Sequence, residues 1–306
     1  MNMLRSFLFI LLIPLISLKG DPLLIGCYNN QAQYRPGSGS CLPSNLSPIL
    51  EKIDILNYGL LRFNFQSAIR PIGPTNDWQI HFSEWNDEIF LQELRAKNPS
   101  LKIIISIKDP QITEREKQII LSESILLLCQ KFELQGIDIQ CDEKIPITLF
   151  KTLKELAPEH FILSLTLPYP SDEEALSVTP YISFLTVSPS EKQADIISSL
   201  LLAGFHCEKL VLGVSAYGRV TSTHQGYYTR EPGKLAYFEI IDSLERDLIT
   251  ELHALYEDPE KIYAKGVWIT KHLLKGAAIH TLDADNFMDS LSPFTLTESL
   301  KEGLTS

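Results

Sequence analysis

The sequence predicts an α/β fold in which eight parallel strands alternate with helices, the (β/α)8 or TIM barrel. Eight short apolar, β-branched runs recur along the chain, and helical patterns lie between them. Nearly continuous hydrophobicity is typical of strands covered on both faces of a parallel sheet. Eight such units over about 250 residues favour the barrel. On these physical grounds alone, a doubly wound open sheet also fits the alternation.

The predicted elements follow one another without an internal repeat or a linker-like stretch. The strands begin at Leu23 (LLIGCY), Ile55 (ILNYGLLRF), Lys102 (KIIISI), Gly136 (GIDIQ), Phe161 (FILSLTL), Tyr181 (YISFLTV), Leu210 (LVLGVSA) and Gly276 (GAAIHTL). Helical patterns include Asn86–Lys97, Glu114–Phe132, Ile147–Leu156, Lys192–Ala203 and Asp258–Leu274. The longest interval between strands, Tyr217–Lys275, contains a segment with few apolar residues, Gly218–Gly233, which predicts an extended loop above the barrel.

The first 20 residues have the layout of a secretory signal peptide. Arg5 precedes an apolar run, Phe7–Leu18, and a small residue, Gly20, follows. An uncleaved anchor is the alternative, but the run is short for a bilayer span of about 20 residues and contains Pro14. We therefore expect residues 1–20 to be removed, leaving a secreted protein that is free of the membrane and forms one domain over residues 21–306.

The charge of the chain disfavours one class of partner. The sequence has 38 acidic and 27 basic residues, a formal net charge of -11, which becomes -13 when Arg5 and Lys19 leave with the signal peptide. An acidic surface repels phosphate backbones, so we do not expect nucleic-acid binding. The cysteine spacings match no zinc pattern, and no motif indicates a metal or a cofactor.

A strand with polar residues on one face stands out in the middle of the chain. In LQGIDIQCD, residues 134–142, the side chains of Asp138, Gln140 and Asp142 alternate with apolar ones and should share a face at intervals of about 6.6 Å. This stretch resembles the DGxDxDxE strand of glycoside hydrolase family 18, the chitinase and chitinase-like family. Further similar segments are CYNNQAQYRPGSGSCLPSNLSP from Cys27, ILNYGL near Asn57, NPSLKIIISI from Asn98, KLVLGVSAYGR from Lys209, YTREPGKLAYFEI from Tyr228 and YEDPEKIYAKGVWITKHLLKGAAIHTLDADNF from Tyr256.

The resemblance implies the barrel and a departure from the family's usual architecture. The interval from Arg219 to Tyr228 is far shorter than the α/β insertion that family members carry there. We therefore expect a strongly reduced insertion domain and a shallower groove. A shallower groove buries less of any sugar chain that it binds.

The family's catalytic positions are degenerate in this chain. Its acid, a Glu, corresponds to Asp142, which would stop about 1.5 Å short of a glycosidic oxygen, a misplacement that can cost about 100-fold in rate. Its preceding Asp corresponds to Gln140, which keeps hydrogen bonding but loses the charge. The Tyr of its MxYD strand end corresponds to Ser190. We expect no intact catalytic residue, a pseudoenzyme, and a remnant hydrogen-bond network at Asp138. The alternative is a weak glycosidase that hydrolyses β-1,4 N-acetylglucosamine links with Asp142 as the acid.

The family's sugar-binding aromatic residues are also depleted. Three tryptophan positions of the family hold Gln31, Cys141 and His280, and His280 is expected to be a neutral hydrogen-bonding residue. The expected ligand-binding residues are Tyr58, Tyr217, Arg219 and His280. Trp78 and Trp85, after the second strand, could supply a replacement surface or simply cap the barrel. We expect the ligand to be a glycan such as a chitin oligomer, or else a protein partner.

The five cysteines and one sequon complete the candidate residues. Cys27 and Cys41 bracket one loop and are the expected disulfide, while Cys129 and Cys141 lie in apolar segments and should be buried thiols. An odd count leaves at least one thiol unpaired. Asn45 begins a glycosylation sequon, Asn-Leu-Ser, that is followed by a proline.

Overall fold

Eight parallel strands close into a barrel, as the sequence predicts. The structure is a computed structural model, and it describes residues 20–61, 86–108, 112, 114–142, 144–220, 225–245 and 255–306. The predicted signal peptide, apart from Gly20, lies outside the described residues, as do Trp78 and Trp85, so these predictions stay predictions. Among the helices described, none has the length and apolar character needed to cross a membrane.

The barrel strands occur in the predicted order and near the predicted bounds. They are β1 Leu23–Asn29, β2 Ile55–Leu61, β3 Lys102–Lys108, β4 Gly136–Gln140, β5 Ile162–Leu167, β6 Phe184–Val187, β7 Leu210–Ser215 and β10 Gly276–His280. Around the barrel the order is β1, β10, β7, β6, β5, β4, β3, β2, and every neighbouring pair is parallel. The closed sheet excludes the doubly wound alternative, which has two open edges.

Helices cover the outside of the barrel. They are α1 Pro43–Leu50, α2 Asn86–Lys97, α3 Arg115–Lys131, α4 Ile147–Leu156, α5 Asp172–Val178, α6 Gln193–Leu202, α7 Tyr237–Glu245, α8 Pro259–Lys271 and α9 Thr295–Thr305. Short 3-10 turns lie at Asn30–Tyr34, Gly37–Gly39, Cys207–Lys209 and Leu282–Ala284. Capping residues help to fix where the helices start: the Asp258 carboxylate accepts from the Lys261 backbone N–H, and Pro259 takes the first helical position of α8.

The strands are buried on both faces, which explains their continuous hydrophobicity. Ile25, Ile55, Ile104 and Val211, from four different strands, pack with one another in a cluster that fills the barrel. Alternate residues, such as Leu24 beside Ile25, belong to a second and larger cluster between the strands and the helices. Because successive side chains of a strand point to opposite faces, most strands serve both clusters, whereas β4 supplies apolar residues only to the outer one.

A short hairpin stands where the resemblance predicts a reduced insertion. Strands β8 (Tyr217–Arg219) and β9 (Lys234–Ala236) pair antiparallel just after β7. Only residues 220–233 separate them, and within that connection Gln225 and Pro232 form an isolated bridge. The predicted extended loop, Gly218–Gly233, is therefore mostly the connection of this hairpin, and its first two residues belong to β8.

The predicted disulfide between Cys27 and Cys41 is not formed, and both residues are buried free thiols. Cys27 points into the barrel, where it joins the interior cluster. Cys41 belongs to the outer cluster, and its carbonyl accepts a hydrogen bond from the Tyr28 hydroxyl at 2.7 Å. The strand alternation that places Tyr28 outside places Cys27 inside, so the barrel wall separates the two sulfur atoms. Cys129 and Cys141 are buried thiols, as expected.

Candidate ligand-binding site at the carboxyl end of the barrel

A buried carboxylate lies at the centre of the polar strand. Asp138 is 0% exposed. The hydroxyls of Ser164 and Thr166 donate to its Oδ1 at 2.8 and 2.9 Å. Asn57 and Ser106 donate to its Oδ2 at 3.2 and 3.0 Å. Burial raises the pKa of the Asp138 carboxyl above its usual value, although these four donors oppose the shift because they stabilise the anion.

The register of the barrel brings these donors together. Ser106 of β3 and Ser164 of β5 are the direct cross-strand partners of Asp138. All three side chains therefore point inward at one level of the barrel. The arrangement is the expected hydrogen-bond network, in which each buried polar group satisfies another.

Gln140 lies one step nearer the mouth of the barrel and extends the same network. Its side-chain N–H donates to the Ser106 hydroxyl at 2.8 Å, and the residue is half-buried. Its cross-strand neighbours are Lys108 and Thr166. A neutral amide in this position binds a hydroxyl but carries no charge that could balance a developing cation.

Asp142 lies beyond the last residue of β4, at the mouth of the barrel. Its carboxylate forms an ion pair with the ammonium group of Lys108 at 2.5 Å, and the two side chains are 66% and 47% exposed. Asp138, Gln140 and Asp142 thus pass from full burial to open solvent along 5 residues, 138–142. The structure brings the first two into one network and leaves Asp142 outside it.

The loop after β6 carries the third degenerate position. Ser190 is half-buried, and among the described residues its hydroxyl has no hydrogen-bond partner. The next residue, Glu191, is exposed and forms an ion pair with Arg219 of β8 at 3.2 Å. Arg219 therefore lies at the mouth of the barrel, as expected, with its charge already paired.

His280 ends β10 and lies beside Cys27 inside the barrel. Its Nε2 is 3.8 Å from the Cys27 sulfur. Burial lowers the pKa of His280 to about 4 and raises the pKa of the Cys27 thiol, so both groups are neutral at pH 7. A reactive cysteine needs a thiolate, which a neighbouring cation usually stabilises. The pair is therefore a weak neutral contact. The assignment of His280 as a ligand-binding residue stays a prediction.

A buried ion pair, which the sequence did not reveal, supports Tyr217. Arg35 Nη2 contacts the Asp283 carboxylate at 2.6 Å, and Arg35 Nη1 donates to the Asp283 carbonyl at 2.7 Å. Arg35 Nη2 also donates to the Tyr217 hydroxyl at 3.4 Å, and that hydroxyl donates to Glu231 at 3.4 Å. The Lys234 ammonium lies 5.5 Å from the centre of the Tyr217 ring. Arg35 and Asp283 lie 248 residues apart in the chain, and Tyr217 and Lys234 belong to β8 and β9. Local sequence spacing therefore does not predict these contacts.

Tyr58 lies away from the mouth, contrary to its assignment as a ligand-binding residue. It is 0% exposed, and its ring packs against both Tyr28 and Phe90, with centroids 5.6 and 5.5 Å away. Its hydroxyl donates to the buried Asp87 carboxylate at 2.5 Å. Tyr58 follows the inward Asn57 and so faces the helices, where it supports α2.

The remaining predicted positions are placed as follows. Gln31 is exposed on the turn after β1, and Cys141 is buried just beyond β4. Asn45 is half-buried in the first turn of α1, and its side-chain oxygen accepts from the Leu42 backbone N–H at 2.8 Å. Its glycosylation stays a prediction. In the part of the chain that the structure describes, no three His, Cys, Asp or Glu side chains are placed to hold a metal ion.

Solved structures with the same architecture include a chitinase and a pseudo-chitinase. The Ostrinia furnacalis Group IV chitinase superposes with a TM-score of 0.76 at 18% identity, covering 94% of this chain and 100% of that one. Human YKL-39, described as a pseudo-chitinase with retained chitooligosaccharide binding properties, gives a TM-score of 0.75 at 18% identity, covering 93% and 100%. At this level of identity the likeness establishes the fold.

Sequence comparison gives the same assignment. Mouse (Mus musculus) chitotriosidase-1 is 23% identical over 381 aligned positions, which cover 93% of this chain and 79% of the mouse protein. The model of the glycosyl hydrolases family 18 matches residues 24–285, from β1 to just beyond β10. The matched range includes the degenerate strand and both halves of the buried Arg35–Asp283 pair. The chain therefore belongs to glycosyl hydrolases family 18.

Proposed function

We propose that this protein binds chitin-type oligosaccharides at the carboxyl end of its barrel and does not hydrolyse them. One observation carries the proposal: the carboxylate in the position of the family's acid, Asp142, is 66% exposed and ion-paired with Lys108. A general acid acts within hydrogen-bond reach of the leaving oxygen and is usually kept in apolar surroundings. Asp142 is instead solvated and engaged by an ammonium group.

The surroundings of Gln140 support the same proposal. The hydrolysis implied for the family is substrate-assisted, so the acetamide of the sugar must be oriented and its developing positive charge balanced. Gln140 is neutral, and its side-chain N–H already binds Ser106. Ser190 offers a short hydroxyl in place of a tyrosine. The buried carboxylate of Asp138 is used by its own four donors.

Retention of binding is supported by the relatives and by the groups left at the mouth. Human YKL-39 is described as keeping chitooligosaccharide binding without being a functional chitinase. In this chain Tyr217 is held in place by Arg35, and the Arg219–Glu191 pair offers both a donor and acceptors at the same opening. Such polar groups beside an aromatic ring are what an uncharged sugar can use.

Two measurements on the purified protein test the proposal. We expect no release of fluorophore from a fluorogenic N-acetylglucosamine oligomer, and no change on Asp142→Ala. Calorimetry with the N-acetylglucosamine hexamer should show binding tighter than millimolar. Cleavage that Asp142→Ala abolishes would establish the weak glycosidase instead. Absence of both binding and cleavage would leave a protein partner as the function of this face.

We also propose that the protein is secreted. The arrangement of Arg5, the apolar run and Gly20 supports export, and an extracellular location would bring the barrel to polymeric glycans. Expression in a secreting host followed by N-terminal sequencing tests this directly. We expect a mature chain that begins near Asp21 in the medium, and retention of residues 1–20 in the membrane fraction would refute it.

A further inference from the structure

We propose that Tyr169 and Tyr227 are sugar-stacking residues, so that the aromatic contacts with the glycan lie on the rim of the barrel mouth rather than inside it. The inference rests on the proposed function and names residues that would carry it. In the described parts of the chain, the exposed aromatic side chains are Tyr34, Tyr169, Tyr227 and Tyr263. Tyr169 and Tyr227 are the most exposed, at 62% and 76%.

Both residues lie on loops at the carboxyl end of the barrel. Tyr169 comes two residues after β5. Tyr227 lies in the β8–β9 connection, and the β8–β9 hairpin follows directly after β7. In the barrel order, β6 is the single strand between β5 and β7. The loop that follows β6 comes between the loops after β5 and β7 in this order, and its Glu191 forms an ion pair with Arg219 of β8. Two rings with polar groups between them suit a chain of sugar rings.

The loop of Tyr227 is fixed by a buried carboxylate. Glu239, which is 5% exposed, accepts hydrogen bonds from the backbone N–H groups of Tyr228 and Ala236 at 2.7 and 3.0 Å. It also accepts from the backbone and the hydroxyl of Thr229 at 3.2 and 2.8 Å. A Cβ on Gly226 would lie 2.0 Å from the same carboxylate, so the loop closes tightly around it. A loop that is already ordered before binding loses less conformational entropy when it binds a ligand.

Of the two adjacent tyrosines, Tyr228 packs against the protein and Tyr227 is exposed to solvent. Tyr228 is half-buried: it packs against Gly39, where an added Cβ would lie 2.5 Å from its own Cβ, and its ring centre is 5.9 Å from that of Phe238. The Tyr227 ring meets Tyr228 edge-on, with centroids 4.9 Å apart at 88°. This contact orients the Tyr227 ring while it stays open to solvent. Tyrosine supplies a large rigid surface at a low entropic cost.

Tyr169 is stiffened in a different way. It stands between Pro168 and Pro170, at the end of β5 and shortly before α5. Proline fixes its own φ angle, and it also restricts the residue before it to extended conformations. The exposed ring is therefore presented by a segment with little backbone freedom.

The surroundings of Tyr227 favour a neutral sugar over a protein surface. Its neighbours Gln225 and Arg230 are exposed and polar, and Glu231 and Lys234 form an ion pair on the same loop at 3.2 Å. A stable protein interface has an apolar core, which a single ring among polar groups does not provide. Because the chain carries a net charge of -11, it repels an acidic glycan but not an uncharged N-acetylglucosamine oligomer.

Calorimetry with the N-acetylglucosamine hexamer tests the inference on single variants. Tyr169→Ala and Tyr227→Ala should each weaken binding about threefold to tenfold, and the double variant should lose roughly the product of the two. Tyr→Phe at either position should bind like the wild type, because the ring remains. Tyr263→Ala, an exposed tyrosine on the outer helix α8, is the matched control and should also bind like the wild type. Thermal unfolding should be unchanged throughout.

The outcomes separate this inference from the function on which it rests. If the wild type binds the hexamer and both alanine variants bind equally well, the rim does not carry the contact and the inference falls while glycan binding stands. If the wild type does not bind, both fall. A loss that appears equally in Tyr263→Ala would also overturn it, since that side chain lies on the outer helix α8.

Discussion

At the scale of single residues, the positions that correspond to the family's acid and its preceding Asp hold side chains with partners of their own. Gln140 still bonds to Ser106, and Asp142 finds a cationic partner in Lys108. Each of these two side chains thus satisfies its own hydrogen-bonding or electrostatic needs.

Restoring two carboxylates should not restore an enzyme. The double variant Gln140→Asp/Asp142→Glu keeps Ser190 and Gln31, so the acetamide still lacks a tyrosine hydroxyl and the first-strand aromatic contact. We expect turnover of a fluorogenic N-acetylglucosamine oligomer to stay at the level of the buffer. Strong activity in this variant would contradict the view that the whole site is degenerate. Calorimetry on the same variant shows whether binding persists.

His280 should make the protein less stable in acid. Its pKa is about 4 when folded and about 6.5 in the unfolded chain, so between these values only the unfolded chain takes up the proton. The contribution of the neutral His280 to the free energy of unfolding is therefore complete above pH 6.5 and is lost as the pH falls towards 4. From pH 7 to 4.5, the wild type should lose about 2 kcal/mol more unfolding free energy than His280→Gln.

Urea titrations of both proteins at the two pH values measure this difference. His280→Gln serves as the reference for the wild type, because all the other titrating groups are common to both proteins. Parallel losses in wild type and His280→Gln would mean that the buried imidazole titrates normally.

At the scale of elements, two glycines allow helices α8 and α9 to pack closely on the outside of the barrel. Helices α8 and α9 meet at Gly266 and Gly303, where a Cβ on Gly303 would lie 2.3 Å from the Tyr263 carbonyl and 3.0 Å from the Gly266 Cα. Contacts this short are possible only without a side chain. The glycines thus determine how near α9 lies to α8.

Gly303→Ala should therefore destabilise the protein by about 1–3 kcal/mol through overpacking, despite the better helix propensity of alanine. Glu302→Ala, at the exposed neighbouring position, is the control and should change stability by less than about 0.5 kcal/mol. Urea unfolding at pH 7 measures both. A more stable Gly303→Ala protein would show that the helices can separate at little cost.

At the scale of the whole molecule, stability rests on burial and not on the predicted cross-link. The barrel has two apolar layers, one inside the strands and one under the helices. Cys27 and Cys41 contribute to different layers as thiols. A disulfide is one way to stabilise a small secreted domain, but a chain of this length can bury enough surface without one.

Alkylation under denaturing conditions should accordingly modify all five cysteines, with or without prior reduction. Intact-mass spectrometry counts the modified thiols. The thermal unfolding midpoint should be the same in the presence and absence of reductant. A mass two units low before reduction, mapped to Cys27 and Cys41, would contradict the free-thiol arrangement.

The sequence by itself determined the barrel and the order of the polar residues along β4. Eight apolar runs specify doubly buried strands, and local spacing is enough to place Asp138, Gln140 and Asp142 in order along one of them. These features depend on near neighbours in the chain, which is why the pattern reveals them. The same spacing did not show that Asp142 lies past the end of β4, because that depends on where pairing with the next strand stops.

Only the tertiary structure decided which distant residues meet. The Arg35–Asp283 pair and the Cys27–His280 contact join segments far apart in the sequence. The hydrogen bonds of Glu239 that fix the loop of Tyr227 join residues on the two sides of a turn. The tertiary structure also decided which face of the barrel wall each strand residue occupies. Because side chains alternate along a strand, Tyr58 points towards the helices and Cys27 points into the barrel, away from Cys41. The physical reason is that the closed sheet sets the direction and register of every strand together, and no single segment carries that information.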